Sequence, residues 1–229
     1  METAGEVMQQ LRSKSKPDQL EGMARFAIVG DQRMGVSVPD MRNLAKEIGK
    51  NHQLALDLWD TGVPEGMIVA GMIAEPEKLT ERQMEAWVVD INSWDICDQV
   101  CMNLFEKTPL AEKKIYDWSV REEEFVKRAA YALIACLAWH DKGASDESFT
   151  RYFPLIVAGA NDNRNFVKKA VNWALRNIGK RNQSLNEKAI QVAHQIQGMD
   201  AKSARWIASN ALRELESDKV QERLRKQGK

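Results

Sequence analysis

Apolar residues recur along this chain at i, i+3, i+4 and i+7, while alternating Val/Ile/Thr-rich runs are nearly absent. The pattern predicts helices over residues 4–27, 39–49, 52–60, 65–75, 80–91, 93–106, 109–119, 121–140, 146–159, 163–179, 184–197 and 200–216. Local punctuation agrees. Thr80 and Gln83 stand at capping-box spacing, the hydroxyl toward the amides of the first turn and the amide side chain reaching back. Pro39, Pro64 and Pro109 suit first turns, where a missing amide hydrogen costs little. Gly49, Gly179 and Gly198 follow periodic runs, as C-terminal stops do. With mostly short connections, the expectation is an all-α chain.

Two of these helices share a signature. Phe125-Val126-Lys127-Arg128-Ala129-Ala130 recurs 41 residues later as Phe166-Val167-Lys168-Lys169-Ala170-Val171. A looser copy, Ala201-Lys202-Ser203-Ala204-Arg205-Trp206, follows after a further 34. Helix pairs at such a period predict a HEAT-like helical-repeat solenoid, because one pair cannot bury its apolar face without neighbours. Curvature of such a stack would leave a concave surface lined by one helix of each pair. Residues 1–216 are expected to form a single domain of this kind, and residues 217–229 a charged, frayed helical tail.

Composition adds little, but charge distribution adds something. The chain has 229 residues, 44% hydrophobic and 29% charged, which is ordinary globular composition with enough length for a sizeable core. Lys+Arg and Asp+Glu both number 33. The balance is uneven: residues 161–229 hold 15 basic and 7 acidic residues, leaving 18 and 26 for residues 1–160. A basic C-terminal region facing an anionic partner is one reading, and an idle dipolar surface the other. No stretch has signal-peptide layout or the length to span a membrane, which points to a cytoplasmic protein. Cys97, Cys101 and Cys136 read as free thiols of a reducing compartment.

Candidate chemistry comes from side chains off the apolar stripes. In helix 163–179 the stripe is Val167, Ala170, Val171, Ala174, Leu175 and Ile178. Trp173 falls about 130° from its centre at 100° per residue, beside Lys169 and Arg176. An indole among cations suits a sugar-phosphate backbone, and equally a neighbouring repeat. In helix 93–106, Trp94 and Asp98 are i and i+4 neighbours, off the stripe of Ile96, Cys97, Val100, Cys101 and Leu104. A carboxylate shielded by an aromatic ring can sit near a cationic transition state, although most aspartates are solvated. In helix 121–140 the stripe is Phe125, Ala129, Ala132, Cys136 and Trp139. Arg128 lies off it, a solvated charge or a phosphate contact. Cys97 and Cys101 have no second ligand pair, so neither a metal nor a cofactor is expected. No phosphate loop, dinucleotide fingerprint or nucleophilic triad is evident.

Four segments together resemble the AlkD-like family of DNA alkylation-repair proteins. They are Met34-Gly35-Val36-Ser37-Val38-Pro39, Ser93-Trp94-Asp95-Ile96-Cys97-Asp98, Val126-Lys127-Arg128-Ala129-Ala130 and Val171-Asn172-Trp173-Ala174-Leu175-Arg176. The likeness spans residues from about 30 to about 215, and its most specific element is Trp-Asp-x-x-Asp followed by Arg and Trp on later repeats. It implies a DNA glycosylase, a hydrolase that cleaves the N-glycosidic bond of N3- or N7-alkylated purines in duplex DNA. It also implies a concave DNA cleft lined by Trp94, Asp98, Arg128 and Trp173. Asp98 would stabilise the oxocarbenium-like sugar and position water, the tryptophans would meet deoxyribose and backbone, and Arg128 a phosphate. Lys169 and Arg176 join the DNA-binding set by their place beside Trp173. The resemblance further implies that no pocket for a flipped base is needed. A monomer without membrane association is expected. The competing readings are a non-catalytic helical-repeat DNA-binding protein and a protein-interaction scaffold.

Overall fold

The computed structural model describes residues 3–28 and 32–227, and every regular element among them is helical. The chain divides into two compact units, one ending at Leu110 and the other starting at Ala111.

The first unit carries α1 (Ala4–Ser13), α2 (Gln19–Arg25), α3 (Val38–Ile48), α4 (His52–Trp59), α5 (Pro64–Ile73), α6 (Glu81–Asp90) and α7 (Trp94–Asn103). The single helix expected over 4–27 is interrupted between Ser13 and Gln19. Pro17 lies in the gap; it has no amide to donate and pushes the residue before it out of helical conformation. Side-chain caps from Thr3, Ser37, Asn51 and Thr80 start α1, α3, α4 and α6. Thr80 and Gln83 form the capping box that their spacing predicts. The central element is α5, buried from Pro64 to Gly71 and packed on α3, α4 and α7.

The approach to α3 is held by backbone and a buried acid. Gly35 has φ +74°, and a Cβ there would lie 2.4 Å from the Lys16 carbonyl oxygen, so only glycine fits. The Lys16 amide donates to the Met34 carbonyl at 2.9 Å. Oε1 of the buried Glu65 accepts from the Met34 and Gly35 amides at 2.9 and 3.0 Å.

The second unit carries α8 (Ala111–Ser119), α9 (Glu124–His140), α10 (Glu147–Thr150), α11 (Phe153–Gly159), α12 (Asn165–Gly179), α13 (Gln183–Gln197), α14 (Lys202–Leu215) and α15 (Asp218–Gln227). Helices α9, α12 and α14 pack in series, and α8, α11 and α13 pack respectively against them. The repeated segments open α9 and α12, and their phenylalanines touch: the Phe125 and Phe166 ring centroids are 5.4 Å apart. The helix expected over 146–159 breaks around Arg151 and Tyr152, just before Pro154. Residues 218–227 form α15 rather than a frayed tail. Val220 and Leu224, i and i+4, are buried. Nε2 of Gln221 donates to Asn186 Oδ1 at 3.0 Å and to the Leu215 carbonyl at 2.7 Å.

No helix among the described residues is long and apolar enough to cross a membrane.

Candidate nucleic-acid interface

In the first unit, α7 brings Trp94 and Asp98 together, one turn apart and both half-buried. The Trp94 indole nitrogen donates to the Phe26 carbonyl at 2.9 Å, so the ring is pinned by its polar edge. That carbonyl belongs to a tight turn in which Ala27 has φ +57°, a conformation few non-glycine residues adopt. The start of α7 is fixed more firmly. Arg33 Nη1 and Nη2 each donate to Asp95 at 2.8 Å, and Nη2 also reaches Ser93 Oγ at 2.8 Å. The Arg33 side chain is only 2% exposed. Bidentate guanidinium–carboxylate geometry sets position as well as charge. The N-terminal turn of α7, and with it the placement of Asp98, is therefore anchored to the Arg33 segment.

In the second unit the expected residues fare differently. Arg128 is buried, 5% exposed, and its Nη1 donates to the Phe166 carbonyl at 2.7 Å. The guanidinium ties α9 to the first turn of α12. Stripe arithmetic places Arg128 off the core because it allows α9 one covered side; α9 packs against both α8 and α12 and is buried almost continuously from Val126 to Ala138. Lys169, the equivalent residue 41 positions on, is exposed. Arg176 is half-buried, its Nε 2.9 Å from Glu214 Oε2 and its Nη1 3.0 Å from Asn210 Oδ1. Trp173 is half-buried and lines a cleft of about 540 Å3.

Trp139 lines the same cleft. The apolar pattern assigns it to the core stripe of α9, but it is 53% exposed. It sits in the last turn of α9 and faces the open cleft, while its neighbour Ala138 is buried. Its ring stacks on His140 with centroids 4.9 Å apart and planes 20° apart. The remaining lining includes Lys142, Asn177, Lys180, Arg181, Asn182 and Arg223. Several of these are held in place. Arg181 donates to the Ala138 and Ala144 carbonyls at 2.9 and 3.2 Å, with its guanidinium 4.0 Å from the Phe149 ring centroid. Asn177 donates to the Ala135 carbonyl at 2.9 Å, and Lys180 pairs with Glu214 at 2.8 Å. Arg223 of α15 donates to the Lys180 carbonyl at 2.7 Å. Cations and indoles in one cleft are the combination that nucleic-acid backbones and bases engage.

A family profile described as "DNA alkylation repair enzyme" matches residues 7–215. The chain belongs to the DNA alkylation repair enzyme family. No curated protein matches it. Among solved structures, one described as "a new family of proteins related to the HEAT-like repeat DNA glycosylases with affinity for branched DNA structures" superposes with a TM-score of 0.78. It is 20% identical, over 93% of this chain and 95% of that one. That likeness shows the fold, a HEAT-like helical repeat. A designed armadillo repeat protein in complex with a (KR)4 peptide reaches a TM-score of only 0.38, at 15% identity over 92% and 88% of the two chains.

For this member of the DNA alkylation repair enzyme family, sequence reasoning missed two residues. Arg33 lies one position before the Met34–Pro39 segment and has no helical periodicity to mark it. Its signal is an arginine upstream of an N-terminal helix acid, Asp95, but the 62-residue separation hides the pair. Trp139 carries a signal that could have been read: it is followed by His140 and Asp141 at a helix end.

Proposed function

We propose that this chain is a DNA glycosylase that releases N3- or N7-alkylated purines from duplex DNA. Family membership supports a role in DNA repair. The observation that carries the finer reading is the Trp94–Asp98 pair on α7, half-buried and set on a helix whose start is clamped by Arg33 and Asp95. Alkylation at N3 or N7 leaves the purine cationic and already a competent leaving group, so little acid help is needed. As the C1′–N bond breaks, its electron pair goes to the base and the sugar becomes oxocarbenium-like. Asp98 lowers the energy of that cation and orients the water that attacks C1′. The water adds its oxygen to C1′ and gives up a proton, leaving an abasic site and free base. Trp94 and Trp173 contact deoxyribose and backbone. Lys169 meets phosphate directly. Arg128 and Arg176, already bonded within the protein, serve chiefly to fix the helices that present these groups.

The test is direct. The full chain is incubated with a duplex carrying one N7-methylguanine, and free base is measured by chromatography. Release well above the spontaneous rate is expected. Tight binding without release would favour the second reading, a non-catalytic DNA-binding repeat protein. The observation behind that alternative is the solved neighbour of the same fold described as having affinity for branched DNA structures.

A further inference from the structure

We propose that the cleft lined by Trp139 and Trp173 is a seat for one unpaired nucleotide of a DNA strand. The proposal rests on the DNA-binding reading and adds a specificity to it: a duplex interrupted by an unpaired base. Two indoles line a cleft whose charged residues, Lys142, Lys180, Arg181 and Arg223, are all cations. A ligand matching this lining has a flat π-face beside an anion, the description of a nucleotide and its phosphate. The volume of about 540 Å3 lies in the range of small-ligand sites, roughly 300–1,000 Å3.

The walls are preformed. Arg181 is fixed by two carbonyls and the Phe149 ring, and Asn177 by the Ala135 carbonyl. Arg223, bonded to the Lys180 carbonyl, closes one side from α15. Trp139 and Lys142 remain exposed, one a stacking platform and the other a cation for the adjoining phosphate. Stacking on an indole is open to every base, so the seat selects for an accessible face rather than for sequence. A paired base offers no such face without unstacking, and that cost is least where the base is already unpaired. The occupant is therefore a bulged or overhanging nucleotide. This cleft departs from the family expectation that no nucleotide pocket is needed.

The experiment compares the full chain with its Trp139→Ala and Lys142→Glu variants on two duplexes. One is fully paired; the other carries a one-nucleotide 2-aminopurine bulge. The wild type is expected to bind the bulged duplex more tightly and to quench 2-aminopurine fluorescence by stacking. Trp139→Ala should lose the quench and about tenfold in affinity for the bulged duplex, the lower part of the ~1–3 kcal/mol typical of base–aromatic stacking. Its affinity for the paired duplex should change by less than about twofold. Lys142→Glu should weaken bulge binding most at low salt. Because both side chains are exposed, circular dichroism should be unchanged in each variant. Equal loss on both duplexes, or a quench that survives Trp139→Ala, would overturn the proposal. Neither result touches the glycosylase reading, which stands or falls on base release. Conversely, Asp98→Asn should retain the bulge preference even where release is lost.

Discussion

Arg33 and Asp95, 62 residues apart, form a two-pronged ion pair in which both terminal guanidinium nitrogens lie 2.8 Å from the carboxylate. Asp95 stands in the first turn of α7 and Ser93, the N-cap residue, accepts from the same guanidinium. Ser93 makes no side-chain cap hydrogen bond of its own, and the pair instead fixes the position of the first turn of α7. Removing one partner of a buried pair leaves the other charge uncompensated. Arg33→Ala is therefore expected to lower the stability of the first unit by about 3 kcal/mol, read as a fall in urea midpoint. An unchanged midpoint would show that water replaces the guanidinium without cost.

Asp98→Asn keeps size and shape but removes a charge. A carboxylate near the phosphate backbone is unfavourable in the ground state and becomes favourable as the sugar turns cationic. The variant should lose about 10²–10³ in single-turnover base release, with duplex affinity equal or slightly higher. If it releases base as fast as the unmodified protein, Asp98 is an ordinary helix carboxylate.

Arg128 and Lys169 occupy equivalent repeat positions with opposite exposure, so their alanine variants should separate cleanly. Arg128→Ala removes a buried side chain and its bond to the Phe166 carbonyl from the interface between α9 and α12, and is expected to cost about 2 kcal/mol of stability. Lys169→Ala should leave stability within about 0.5 kcal/mol. It should also weaken DNA binding and reduce the slope of log affinity against log salt by about 1. A salt slope unchanged in Lys169→Ala, measured by anisotropy across a salt series, would remove Lys169 from the interface.

Asp162 supplies a pH dependence. Burial pushes its carboxyl up, but hydrogen bonds and charge from Arg164, with Lys127 3.5 Å away, outweigh burial and hold it below the usual aspartate range. A group whose pKa is depressed in the folded state contributes stability above its unfolded value. That contribution is lost as pH falls through the folded value. Asp162 should therefore stabilise the second unit fully above about pH 5, with loss beginning near pH 4 and continuing below it. In Asp162→Asn, thermal melts over that window should show a shallower decline than the wild type. Parallel curves would assign acid sensitivity to other carboxylates.

Local chemistry determined much of this protein before any tertiary contact is considered. Helical periodicity, the Thr80–Gln83 box and the Ser37 cap before Pro39 are carried by neighbours within a few residues, and the Phe-Val-Lys repeat is legible as self-similarity 41 residues apart. Capping and stripe burial act over one or two turns and so specify the helices, while the repeat period suggests their stacking. The Trp94–Asp98 flank was legible for the same reason: i and i+4 meet on any helix. What only the tertiary structure decided is which side chains, on or off the stripe, reach water. Arg128 and Trp139 share α9, yet the pattern inverts their fates. Arg128 faces α12, which offers the Phe166 carbonyl, whereas Trp139 faces the open cleft that it lines with Trp173. A single helix's periodicity carries one direction of burial, while a stacked repeat imposes a second, set by where the neighbouring helices lie. Arg33 shows the same limit at longer range, since nothing local to it announces the aspartate 62 residues away that it holds.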